Sequence, residues 1–193
     1  MALTTYTELL ASVALHLNRN DLTDALPDFV KLAESDMNSR LRCPQNEKRD
    51  TSFAVSDRFT NLPVDFAEMR RVVWVGSYRV ELKPVAAEVA SPYITASTPH
   101  SYAIHGNQLE VVPPQASTLE LTYWRTLPNL ADNNTNNVLA RYPDLYLYGT
   151  CVQAALYLGD GNLVAKYQPL YERALSFANG QKQVGSGLAV RVA

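Results

Sequence analysis

The stretch from Pro143 to Leu158 sets the tightest limit on what this chain can fold into. Pro143 suits the first turn of a helix, where its missing N–H costs nothing. Asp144 then falls near the positive end of the helix dipole. Leu145, Tyr148, Val152 and Leu156 recur at helical spacing, and Leu147, Cys151, Ala154 and Leu158 form a second stripe. A helix that is apolar on two sides is packed on two sides. At about 16 residues, with Asp144, Gln153 and several tyrosines, it is short and polar for a membrane span. The reading is a central helix whose Leu145, Tyr148, Val152 and Leu156 lie in a bundle core.

Such a helix needs partners, and the sequence supplies three. Thr5 and Glu8 have the spacing of a capping box, and Leu9, Leu10, Val13, Ala14 and Leu17 follow as one apolar face. A second helix starts near Asp24 with Pro27 in its first turn. Its Val30, Ala33, Met37 and Leu41 repeat at three or four residues, and Pro44 closes it. After the central helix, Gly159, Asp160 and Gly161 form a stop, with Asn162 as the expected cap of the next helix. Leu163, Tyr167, Leu170, Tyr171, Ala174 and Phe177 line one face of that helix. The short gap predicts an antiparallel pair.

Between residues 50 and 126 the period changes. Arg71–Val75 and Tyr78–Leu82 flank Gly76-Ser77, and Tyr102–His105 and Gln108–Val112 flank Gly106-Asn107, so two hairpins are predicted. Leu119, Leu121 and Tyr123 alternate with Thr118, Glu120 and Thr122, the pattern of a half-buried strand. Residues 84–90 read as a short helix or an irregular crossing, and residues 91–99 as a loop. The connector from Leu127 to Asn137 is polar and rich in asparagine, which suits turns. The expected fold class is α+β: an antiparallel helical bundle of about four helices, an inserted antiparallel β-unit and an extended C-terminal tail. The expected domains are a discontinuous bundle at 1–45 and 137–180, a β-domain at 50–126 and a tail at 181–193.

The sequence offers little chemistry. Of 193 residues, three are histidine and two are cysteine, Cys43 and Cys151. His16, His100 and His105 stand apart, and no spacing for a metal, a phosphate loop or a nucleophile elbow occurs. No catalytic, cofactor or metal residues are assigned, and an enzyme is not expected. The cysteines, far apart in sequence, suggest a reducing compartment. The net charge of −2 argues against a dedicated nucleic-acid binder. Arg40, Arg42, Lys48 and Arg49 read as a solvated loop with Glu47 and Asp50 among them. The N-terminus lacks the pattern of a signal peptide, and the expected place of synthesis is a cytoplasm, with no membrane partner.

The tail is the odd feature. Leu188, Val190 and Val192 alternate with Ala189 and Arg191 after a Gly/Ser linker. An apolar, strand-prone end suits strand addition to a partner. Leu188, Val190, Arg191 and Val192 are therefore candidate partner-binding residues.

The order of several short motifs carries a resemblance. Leu17, Asn18, Arg19, Asp21 and Leu22 precede Pro27, Phe29, Val30, Leu32, Ala33 and Glu34, with Leu41 and Arg42 closing the second helix. Leu62, Pro63, Asp65, Phe66 and Glu68 open the β-region. Tyr102, Ile104, Gly106 and Leu109 lead to Pro113 and Pro114, and Leu121 and Tyr123 to Leu127, Pro128 and Leu130. Tyr142, Pro143 and Leu145 to Gly149 complete the set. In this order the chain resembles the head-to-tail adaptor, or connector, proteins of tailed bacteriophages, over nearly its whole length up to about residue 180. The resemblance implies a virion structural protein made in the host cytoplasm and placed at the neck. It implies self-assembly into a twelve-fold ring between the portal protein and the tail tube or nozzle protein. DNA would pass through the lumen without specific binding, as the negative net charge of each copy allows. The tail lies outside the resemblance. The competing reading is a monomeric or dimeric binding module or assembly chaperone.

Overall fold

The computed structural model describes residues 3–87 and 98–180. The chain divides into two compact units, one holding the stretches up to Asn46 and from Leu127, the other Glu47–Thr126.

The first unit is helical. Helix α1 (Tyr6–Leu17) starts on a capping box: Thr5 Oγ1 accepts from the Glu8 amide at 3.3 Å, and Glu8 Oε2 accepts from the Thr5 amide at 3.0 Å. It ends at Asn18, which takes the left-handed conformation. Helix α2 (Leu26–Arg40) carries Pro27 in its first turn. Two short helices follow the second crossover, α3 (Leu130–Asn133) and α4 (Asn137–Arg141). Asn129 caps the first, and Asn136 caps the second by accepting from the amides of Val138 and Leu139. Helix α5 (Pro143–Leu158) runs into α6 (Gly161–Gly180) through Gly159, whose φ of 64° needs no Cβ. The cap of α6 is Asp160, which accepts from the amides of Asn162 and Leu163, rather than Asn162.

Helix α5 is enclosed by α1, α2, α4 and α6. Leu145, Tyr146, Cys151, Ala154 and Ala155 are completely buried. Gly149 lets the Tyr171 ring lie on the helix, since a Cβ there would meet Tyr171 Cε2 at 3.0 Å. Of the four residues expected in the core, Leu145 and Val152 are buried and Tyr148 is half-buried. Leu156 is 57% exposed. It shares the stripe but sits in the last turn, beside a connection whose two glycines offer no side chain to cover it.

The second unit corrects the expected fold class. It is not a small antiparallel insert in a four-helix bundle but a curled, mixed, seven-stranded sheet with the order β1-β7-β3-β4-β5-β6-β2. The strands are β1 (Glu47–Val55), β2 (Phe59–Asn61), β3 (Phe66–Val75), β4 (Arg79–Pro84), β5 (Ser101–His105), β6 (Gln108–Val112) and β7 (Ser117–Arg125). The helices among the described residues number six rather than about four. Three features made the difference. The strand β4 pairs with β5 in parallel through Lys83–Ser101 and Pro84–Tyr102, which joins the two hairpins. The three-residue β2 adds to β6. The run Glu47–Asp50, charged enough to read as a loop, pairs with Trp124 to Leu121 as the first half of β1.

The sheet has its own core. Leu119, Leu121 and Tyr123 of β7 pack with Val72, Trp74, Leu82, Leu109 and Val111. The expected tail, with Leu188, Val190, Arg191 and Val192, lies outside the described residues, as do residues 88–97 of the expected crossing and loop.

The burial of α5 makes a contrast that calorimetry or urea unfolding can read. Leu145→Ala should destabilise the protein by roughly 2–5 kcal/mol. Leu156→Ala, on the same stripe, should stay within about 0.5 kcal/mol of wild type. Equal losses at the two positions would contradict the burial pattern.

Candidate interaction surfaces

Side chains that are polar and buried mark where this molecule invests in position. Glu34 is 5% exposed on the inner side of α2. Its Oε1 accepts from the Leu130 amide at 3.0 Å and from the Tyr146 hydroxyl at 3.4 Å. Asn136 Nδ2 donates to that hydroxyl at 2.7 Å and to the Pro128 carbonyl at 3.0 Å. One turn along α2, Asn38 Oδ1 accepts from the Leu127 amide at 2.7 Å. Glu34 and Asn38 therefore hold the chain where it re-enters the helical unit. Asn179 does the same where it leaves: its Oδ1 accepts from the Arg42 amide at 2.7 Å, and its Nδ2 donates to the Arg40 carbonyl at 3.0 Å. Both crossovers are pinned by side chains of the helices.

Burial pushes the Glu34 carboxyl above its usual range. The Leu130 amide and the Tyr146 hydroxyl oppose that shift, and the charge of Asp132 adds to it. Burial likewise raises the Tyr146 hydroxyl, and it pushes the Cys151 thiol up to about 12, so Cys151 stays protonated. Cys43 is buried too, and its thiol is raised by the same cause.

The sheet unit buries two more glutamates. Glu110 accepts from Arg58 at 2.7 Å, and its other oxygen meets His105 Nε2 at 2.7 Å. Glu120 accepts from Arg49 at 2.5 Å and also from Arg79. At the turn before β3, Asp65 binds Lys48 Nζ at 2.7 Å and the Tyr123 hydroxyl at 2.9 Å. Burial tends to raise Asp65, but these two donors outweigh it and hold the carboxyl below its usual value. The sequence marked Arg40, Arg42, Lys48 and Arg49 as one solvated cluster. In the fold they have separate partners: Arg40 binds Asp36 and Glu172, Lys48 binds Asp65, and Arg49 binds Glu120.

The three histidines remain apart. His16 contacts the Ser12 carbonyl, His100 the Ser101 hydroxyl and His105 Glu110. Among the described residues no three His, Cys, Asp or Glu gather to hold a metal, and no helix is long and apolar enough to cross a membrane.

What the helical unit does present is apolar surface. Leu15, Leu32, Leu156, Tyr157 and Phe177 are all more than half exposed. A shallow groove of about 400 Å³ runs between Leu156 and the Val164–Ala165 turn of α6, floored by Ala155, Gly159 and Gly161. Tyr157 lies against Phe29 with ring centroids 5.2 Å apart, and Phe177 meets Tyr142 edge-on at 6.4 Å. Periodicity could not locate this surface. It placed Leu156 and Phe177 on core stripes, and both project into solvent.

Residues 4–191 match the family model described as SU10 adaptor protein, so the match spans nearly the whole chain and both units. Comparison with curated proteins found no match.

The raised native value of Glu34 fixes the sign of a pH effect. A carboxyl with a folded pKa above its unfolded one contributes stability that is fully present below the unfolded pKa and lost as pH rises through the folded one. Glu34→Gln keeps an acceptor for Leu130 but cannot ionise. Its stability relative to wild type should therefore grow as pH rises from the usual carboxylate range through the raised folded value. Urea midpoints across that range test this, and a difference that stays flat would remove Glu34 as the cause.

Proposed function

The chain belongs to the SU10 adaptor protein family, a family of phage structural adaptors, and from that premise we propose that it forms a ring between the portal and the tail tube or nozzle. The protein is thus a component of the virion, and on this reading its position is the neck. The copies, twelve in the proposed ring, surround a channel through which DNA passes. The observation that carries the reading is the family match across residues 4–191, which takes in both compact units rather than one of them.

The physical features support the same assignment. A ring needs heterologous contacts, in which one surface of a subunit meets a different surface of the next. The helical unit offers several exposed apolar side chains on different helices for such contacts. In the proposed division of labour, helices drawn from 1–45 and 137–180 form the ring wall. The β-domain of 50–126 faces outward or toward the tail. The tail, 181–193, engages a partner through Leu188, Val190, Arg191 and Val192 by strand addition. The chain acts by binding and assembly, and no catalytic step is assigned to it. The net charge of −2 per copy disfavours a lasting grip on DNA phosphates.

Light-scattering mass of the purified protein, alone and mixed with the portal protein of the same phage, tests the proposal. The expected result is a complex whose added mass is near twelve copies, lost or strongly weakened on deletion of Leu188–Ala193. A protein that stays monomeric or dimeric beside an assembled portal would instead favour a binding module or an assembly chaperone.

A further inference from the structure

We infer that the outward face of α2 on one copy docks on the outward face of α6 on the next. The inference rests on the ring reading above and names the surfaces that would join.

Two helix faces carry it. On α2, Asp28 and Leu32 lie one turn apart and point outward, and Leu32 is 53% exposed. Tyr157, 68% exposed, extends this face, since its ring rests on Phe29, one turn before Leu32. On α6, Arg173 and Phe177 lie one turn apart and point outward, and Phe177 is 60% exposed. Lys166 lies two turns before Arg173 on the same side. Each face therefore pairs an apolar group with a charge, and the charges are opposite.

Among the described residues neither Asp28 nor Arg173 takes part in an ion pair. On the same two helices, Arg40 is held by Asp36 and Glu172. Asp28 and Arg173 lie on the outer faces, and the satisfied set lies where α2 and α6 meet inside one copy.

Helix direction supplies the third argument. The contacts Phe29–Tyr157 and Glu34–Tyr146 make α2 antiparallel to α5. The contacts Asp36–Tyr171 and Arg42–Asn179 make α2 parallel to α6. On both faces the charge precedes the apolar residue by four positions. Asp28 can meet Arg173 while Leu32 meets Phe177 only if the two helices dock in parallel. Rotation about an axis along the helices preserves direction, so neighbours in a cyclic ring present α2 and α6 in that sense. A two-fold axis perpendicular to the helices would instead put α2 against α2 and reverse it.

Cysteine cross-linking in the presence of the portal protein reads this directly, because Cys43 and Cys151 are buried. The Leu32→Cys, Phe177→Cys double variant should oxidise to a ladder of covalent multimers. Either single variant alone should give none, and a mixture of the two singles should stop at a dimer. Charge reversal gives an independent measure. Asp28→Arg and Arg173→Asp should each weaken assembly about tenfold or more, since like charges then face each other, and combining them should restore it. Cross-linking by Leu32→Cys alone would show a two-fold contact and overturn the inference. So would wild-type assembly that neither the cysteines nor the reversals touch, which would leave the ring reading standing. Failure of wild type to add copies to the portal would count against the ring reading itself.

Discussion

The enclosure of α5 is the constraint on which the helical unit depends. Helices of this length are marginal in water unless an apolar face is covered. Here α1, α2, α4 and α6 each gain cover from α5, and α5 gains its own from all of them. The arrangement needs close approach, which Gly149 permits by letting Tyr171 rest on the helix backbone. It also needs both chain crossovers held against the helices. Glu34 and Asn38 on α2 hold the returning strand of chain, and Asn179 on α6 holds the departing one. A break at either crossover would loosen the helices that enclose α5, because the anchors sit on those helices.

The sheet unit solves a different problem with the same device. Strand β7 pairs with β1 on one side and β3 on the other, so its outward face is crowded by two neighbours. Glu120 on that face is 6% exposed and would be costly without a partner. Arg49 from β1 and Arg79 from β4 reach it from either side. A carboxylate shared by cations from two other strands ties together elements that backbone pairing alone does not join. Glu110 plays the equivalent part at the far end of the sheet, with Arg58 and His105.

These particulars show why part of the structure was legible in the sequence and part was not. Helix α5 announced itself through Pro143, Gly159 and two apolar stripes, all of them local signals. The two hairpins followed from Gly76-Ser77 and Gly106-Asn107, and β7 from strict alternation. The first half of β1 was hidden because its side chains at Glu47, Lys48, Arg49 and Asp50 are all charged. Their ion-pair partners Arg70, Asp65 and Glu120 lie 17 to 71 residues away. The parallel join of β4 to β5 leaves no periodic trace at all. Helices α3 and α4 are four and five residues long and exist through the caps of Asn129 and Asn136, so the asparagines read as turn formers were helix starters. The same limit applies to the surfaces. Leu156 and Phe177 obey core periodicity, and only the positions of neighbouring helices reveal that both stay more than half exposed.

The ring proposed above would have to hold proteins firmly and nucleic acid loosely, and the two demands would fall on the same side chains. A free arginine on a channel wall would bind phosphate and release counterions, with an affinity that accumulates over many copies. In the sheet unit Arg49, Arg58, Arg70, Arg71 and Arg79 are each bound to a glutamate of the same unit, and Lys48 to Asp65. A phosphate would have to displace a carboxylate already in place, so these cations contribute little net attraction. On the outer face of α6 the pattern reverses. Among the described residues Arg173 has no ion-pair partner, and Phe177 beside it is 60% exposed. Such a charge next to an exposed aromatic ring suits a surface that is completed by another protein.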